Sequence, residues 1–180
     1  DKYLGIKGGK ARSSHAHMDA GSFVYDAYGV RWSMDIGRQA YAPLEIALKA
    51  LGGNLWTYTQ ASLRWEVSRL NNFFHSTLTV NDSKHRVEGF ATLEQTINTA
   101  TEQGGTFDLS PVLEDQVASA MRTVKIVNDK DLKVIDAIRT RTDRSAKIRW
   151  TMVTPAAPAV ENDRIVLTSN GKTMYLTAAE

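Results

Sequence analysis

"GSFVYDAYGVRWSMDIG", Gly21 to Gly37, alternates apolar and polar residues and breaks its rhythm only at Tyr28 and Gly29. Successive side chains of a strand point to opposite faces, so Phe23, Tyr25 and Ala27 share one face, and Val30, Trp32 and Met34 resume it after the break. Arg31, Ser33 and Asp35 fall on the opposite face. The stretch reads as an antiparallel hairpin with one buried side.

The same texture extends in both directions. Strand patterns occur in "STLTVN", "TLEQTINTAT", "SAMRTVKIVN", "LKVIDAIRTRT", "AKIRWTMVT", "RIVLTS" and "KTMYLTA", and turn residues punctuate them. Asn170-Gly171 between the last two is a strong hairpin signal, because both central positions of a tight turn need positive φ. One helix is predicted, over "PLEIALKALGG", with Pro43 in its first turn and Gly52 able to end it. The segment Leu55 to Phe74 follows neither period and reads as a long loop, and "TPAAPAVEND" reads as a linker. The fold class expected is all-β, an antiparallel multi-stranded β-sandwich with one short peripheral helix.

Composition narrows the function classes. The 180 residues are 42% hydrophobic and 23% charged, with formal net charge +2, which excludes a disordered polyelectrolyte and a strongly basic nucleic-acid binder. There is no cysteine, so neither a disulfide framework nor a thiolate metal site is available. No apolar run approaches the ~20 residues of a membrane span. The chain opens without Met and stops while strand pattern is still in progress, and it is read as a piece of a longer protein.

Two of the four histidines lie in "SSHAHMDAGSF", Ser13 to Phe23. Taken as extended, this stretch projects His15, His17 and Asp19 from one side, and a His-x-His pair in a strand can direct two imidazoles at one zinc ion. Asp35, on the polar face of the hairpin, is a candidate carboxylate donor. His75 opens "HSTLTVND", on one face with Thr77, Thr79 and Asn81. Asp19 reads equally as a turn former before Ala20 and Gly21. His85, in "NDSKHRVEG", reads as solvated, and Trp32, Trp56, Trp65 and Trp150 read as core or loop anchors rather than sugar platforms.

The runs "HAHMDAGSFVYDAYGVRWSMDIGRQAY", "LRWEVSRLNNFFHSTLTVN" and "IRWTMVTP" together resemble the β-sandwich portion of heparinase II/III-like polysaccharide lyases, over roughly Leu4 to Leu176. That resemblance implies His15 as a catalytic residue and His17, Asp35 and His75 as ligands of one zinc ion, with Tyr41 and Arg31 as candidate substrate contacts. Phe74 and Ser76 stand where relatives commonly carry Asn, which alters the hydrogen bonding around the third ligand. The resemblance divides the chain into a central sandwich, 1–154, and a linker with the start of a further β portion, 155–180. It also implies an N-terminal helical toroid, absent from this chain, as partner domain in the same protein. The substrate it implies is an acidic, uronic-acid-containing polysaccharide, and the setting periplasmic or secreted.

The chemistry so implied is β-elimination. A group must neutralise the uronate carboxylate, a base must take the C5 proton, and an acid must protonate the departing 4-oxygen. Imidazole, with an ordinary pKa of about 6.5, suits such proton transfer. With the toroid's groups missing, the isolated chain is expected to be inactive. Two alternatives stand beside this reading. One is a non-catalytic carbohydrate-binding or assembly module of the same fold, and the other a free-standing zinc enzyme of cupin-like geometry.

Overall fold

The structure, a computed structural model, describes residues 1–179. Its strands are β1 (Lys2–Ile6), β2 (Phe23–Ala27), β3 (Val30–Ser33), β4 (Leu78–Val80), β5 (Thr92–Asn98), β6 (Glu102–Asp108), β7 (Ser119–Val127), β8 (Asp131–Arg139), β9 (Ile148–Trp150), β10 (Ala157–Glu161), β11 (Arg164–Ser169) and β12 (Lys172–Thr177). They form four antiparallel sheets in the orders β1-β2-β3, β4-β9, β5-β6-β7-β8 and β10-β11-β12. The only α-helix among the described residues, α1, is Tyr41–Ala50. The expected all-β sandwich with one short helix is what the chain adopts.

The Gly21–Gly37 hairpin forms as its alternation predicts. Tyr28 and Gly29 have φ of 55° and 75°, the mirror-image turn whose twist suits tightly joined strands. Asn128-Asp129 and Asn170-Gly171 turn with the same paired positive φ, joining β7 to β8 and β11 to β12. Phe23, Tyr25, Ala27, Val30 and Trp32 are buried and pack against Val124 and Ile126 of β7 and Leu167 of β11. At ~1.5–3 kcal/mol per large apolar side chain, this contact between sheets is a main source of stability.

Three strands lie where alternation was absent. In β6, "EQGGTFD", Gly104 and Gly105 interrupt the pattern because β7 runs too close for a side chain: a Cβ on Gly104 would overlap the Val124 carbonyl. The expected linker "TPAAPAVEND" contains β10, which pairs with β11 along its length and is exposed throughout. An edge strand has no second neighbour to need its N–H groups, so Pro158 is tolerated there. β1 pairs with β2, although Gly5 and the surrounding lysines hide its period.

A third apolar cluster supports the region of the histidines. Leu44 and Leu48, four apart on one face of α1, pack with Met18, Leu55, Trp65, Leu70 and Val87. The segment 55–74 is a loop held in short 3-10 turns at Leu63–Glu66, Ser68–Leu70 and Asn72–Phe74. It is pinned from within: Asn71 caps the last of these turns by accepting the Phe73 N–H and donates to the Trp65 carbonyl.

Candidate functional site

The stretch Ser13–Ser22 is not a strand. The chain turns at His15, whose φ of 62° puts a non-glycine residue in the left-handed region. His15 and His17 therefore point into different surroundings, correcting the expectation that one extended face carries both. Asp19 behaves as the turn former: its carbonyl accepts the Ser22 N–H, Gly21 has φ of 77°, and its carboxylate meets Lys7 Nζ at 3.0 Å.

His15 is exposed and framed by aromatic residues from two elements. Its Nδ1 lies 2.9 Å from the hydroxyl of Tyr41, the first residue of α1, and the two rings stack at 5.6 Å. The Trp56 indole packs edge-on to both, 5.5 Å from His15 and 5.0 Å from Tyr41. The His15 backbone N–H donates to the Tyr58 hydroxyl at 3.1 Å. Among the described residues nothing hydrogen-bonds its Nε2. When Nδ1–H donates to the Tyr41 oxygen, the Nε2 lone pair is free to accept a proton from a bound molecule; in the other tautomer Nε2 is a donor. A cavity of about 310 Å³, lined by Arg12, Ser13, Ser14, Tyr58 and Thr59, opens beside this group.

Behind it, His17, His75 and Asp35 come together from three parts of the chain. The His17 and His75 rings are 5.5 Å apart, and His75 Nδ1 is 2.7 Å from Asp35 Oδ2. His75 is fully buried, in the loop before β4 rather than on an exposed strand face, and all of β4 is buried on both sides. Its Nε2 faces the Arg69 carbonyl at 3.0 Å. A carbonyl can only accept, so Nε2 is the donor there; Nδ1 then donates to Asp35 only when it too bears a proton, and freed of that proton it is the nitrogen available to a metal. Asp35 lies just beyond β3, where the Gly37 N–H donates to its other oxygen at 2.7 Å. The hydrogen bond from His75 and that from Gly37 hold its carboxyl below the ordinary range against partial burial. Burial pushes His17 down, with Asp19 opposing the effect and the neighbouring His75 adding to it.

Two imidazoles and a carboxylate match zinc in donor chemistry, and a backbone carbonyl on the far nitrogen is the usual way of fixing a ligand tautomer. The side chains are nevertheless closed on one another. Among the described residues no three such groups are set as a coordination shell. The 2.7 Å His75–Asp35 contact is a hydrogen bond, shorter than the ~3.3 Å that separates two ligand atoms on a tetrahedral ion.

Other expected residues lie elsewhere. Arg31 is committed to Asp26 in a two-pronged pair, both contacts 2.7 Å, on the outer face of the hairpin. His85, expected in solvent, is buried: Nε2 binds the Leu78 carbonyl at 2.9 Å, and desolvation pushes its pKa down to about 4. Trp32 and Trp65 are core residues, while Trp56 is 39% exposed beside His15. Ser76 is buried and ties Ser33 at 3.1 Å to the Val153 N–H at 3.0 Å. Sequence reasoning passed over Tyr58, Arg64 and Arg69. The aromatic and arginine content of an otherwise patternless loop was the available signal.

Fold and site together define a β-sandwich domain with a histidine-bearing loop face. Residues 3–180 match the heparinase II/III-like, C-terminal family, and the chain belongs to it. Among solved structures it is similar to the crystal structure of a heparan sulfate lyase HepC mutant from Pedobacter heparinus, with a TM-score of 0.68 and 18% identity, over 94% of this chain and 24% of that one. At that identity the likeness is one of fold, and the chain spans about a quarter of the length of that enzyme. No curated protein sequence matches it. Among the described residues no helix is long and apolar enough to cross a membrane.

Proposed function

We propose that this chain is the C-terminal sandwich of a polysaccharide lyase that cleaves uronic-acid-containing chains by β-elimination, with His15 as a proton-transfer residue. The observation carrying this reading is the placement of His15: exposed, with Nδ1 tied to the Tyr41 hydroxyl, Nε2 free and a cavity alongside. Family membership supports the reaction class. Removal of the C5 proton sends its electron pair into the C4–C5 bond and expels the 4-oxygen, which takes up a proton. In the tautomer with Nδ1–H on Tyr41, His15 Nε2 serves as the base; in the other it serves as the acid. Either way one histidine performs one of the two transfers. The other transfer and the neutralisation of the carboxylate fall to groups outside this chain, in a helical domain of the same protein.

His17, Asp35 and His75 would hold zinc. The ion would tie the three segments together and orient the turn that carries His15, rather than activate water. Tyr41 would orient the His15 ring and contact substrate; the commitment of Arg31 to Asp26 leaves it a weaker candidate. The proposed substrate is an acidic polysaccharide and the setting periplasmic or secreted. In this division the central sandwich covers 1–154 and a further β portion begins within 155–180.

The test is His15→Ala in the full-length protein, assayed by the ultraviolet absorbance of the 4,5-unsaturated uronate on heparin, heparan, chondroitin and alginate-type polymers. Turnover should fall by about 10²–10⁴-fold with fold and metal retained. Turnover unchanged would remove His15 from the chemistry, and product without the chromophore would exclude elimination.

A further inference from the structure

Arg64 is a charged residue buried without a charge partner. Its side chain is 2% exposed, and no carboxylate lies within 4 Å of it among the described residues. Nη1 donates to the Leu55 carbonyl at 2.7 Å and Nη2 to the Ala16 carbonyl at 2.8 Å, while Nε has no partner. The guanidinium lies 4.6 Å from the centre of the Tyr58 ring and 5.2 Å from that of Trp65. Burying an uncompensated cation costs several kcal/mol, and two carbonyls and two aromatic faces recover only part of it. An all-apolar filling of the same space would serve stability better.

What the arrangement does secure is the turn that carries His15, at its two ends. The Ala16 carbonyl, one peptide beyond that following His15, is held by Arg64. The His15 N–H is held by the Tyr58 hydroxyl, and the Tyr58 ring lies on the same guanidinium. The loop of contacts closes around a residue whose φ of 62° costs ~1 kcal/mol or more in an L-residue other than Asn or Gly. Locally the conformation belongs to the turn Ser13–Ala16, in which the Ala16 N–H donates to the Ser13 carbonyl at 3.1 Å and His15 takes the position that favours glycine, so a histidine there gains from being held from outside.

We propose that Arg64 is a positioning residue, which with Tyr58 holds the Ser13–Ala16 turn, and with it the left-handed backbone of His15, so that the imidazole stays on the Tyr41 hydroxyl. This rests on the proposed role of His15 for its functional consequence, but its geometric content stands apart. Lysine at 64 keeps the charge but loses the planar fork that spans the Leu55 and Ala16 carbonyls, because an ammonium is a point donor.

Two measurements test it in the full-length protein. The structure of Arg64→Lys should show His15 out of the left-handed region and its contact with Tyr41 broken; retention of both overturns the inference whatever the turnover. In kinetics, Arg64→Lys and Arg64→Ala should lose kcat, by about 10²-fold in the latter, with KM little changed, since misplacement acts on the reacting geometry rather than on binding. Added guanidinium should restore kcat to Arg64→Ala by refilling the vacated site. Wild-type kcat in folded Arg64→Lys, a loss confined to KM, or failure of guanidinium to rescue a folded Arg64→Ala would each overturn the proposal. If Arg64→Ala does not fold, Arg64→Lys decides alone. Unchanged turnover in His15→Ala would instead fail the reading of His15 and leave the structural result on Arg64 standing.

Discussion

His75 and Asp35, forty residues apart in the chain, meet through a 2.7 Å hydrogen bond between Nδ1 and Oδ2, with the His17 ring 5.5 Å from that of His75. The bond joins the loop before β4 to the end of β3, and the proposed zinc site depends on that junction.

If these three residues hold zinc, protein purified without chelator should carry about one equivalent by elemental analysis, and His17→Ala and Asp35→Ala should each lose it. Metal should also be released as pH falls, since imidazole coordinates only when neutral. A full equivalent of zinc in His17→Ala would refute the ligand assignment.

Arg122 of β7 is fully buried and grips Asp136 of β8 with both prongs, at 2.7 and 2.9 Å, while Nη1 donates to the Gly21 and Ser76 carbonyls. It thereby ties the four-stranded sheet to the residues flanking the hairpin and His75. Asp136→Ala leaves that guanidinium unpaired and should destabilise the fold by about 3–5 kcal/mol. Urea unfolding measures this, and a midpoint equal to wild type would contradict it.

Gly104 marks where β6 and β7 approach too closely for a side chain. A Cβ there would overlap the Val124 carbonyl and come within 2.6 Å of Lys125 Cα, both backbone atoms of the neighbouring strand. Gly104→Ala should therefore cost more than the loss of conformational freedom it removes, on the order of 2–3 kcal/mol net. Gly171→Ala meets nothing within 4 Å and carries only the strain of φ 69°, so it should cost about 1 kcal/mol. Thermal melting of the two variants side by side should preserve that order.

His85 makes the fold sensitive to acid. Its pKa is about 4 when folded against 6.5 ordinarily, because burial disfavours the charged ring. Between these values the unfolded chain binds a proton that the folded one does not, so stability present above pH 6.5 is lost as pH falls toward 4. The loss from this group is about 3 kcal/mol. His85→Gln, which can keep a donor on the Leu78 carbonyl, should flatten the slope of unfolding free energy over that window. An unaltered slope would place the acid sensitivity in other groups.

The sandwich was legible because alternation is a local consequence of a strand having one wet face. Phe23, Tyr25 and Ala27 announce their burial without reference to any other part of the chain. The pattern fails where glycine admits a neighbour, as in β6, and where neither face is buried, as in β10. Residue type and likeness to a family also singled out His15, His17, Asp35 and His75, and the fold brings the last three together. Their geometry was not legible.

His15 takes left-handed backbone within the Ser13–Ala16 turn, and the contacts that hold this turn at the His15 N–H and the Ala16 carbonyl come from the Tyr58 hydroxyl and the Arg64 guanidinium, 43 and 48 residues away. Burial of His85 follows from the closing of Asn72 and Leu78 around it, although its own neighbours in sequence are polar. Strand period, turn chemistry and the absence of thiols are properties of neighbouring residues, and the sequence alone determined them. The hold on the turn at His15, and the hydrogen-bond partner of each imidazole, depend on groups that only the folded chain brings within reach, so tertiary structure decided them.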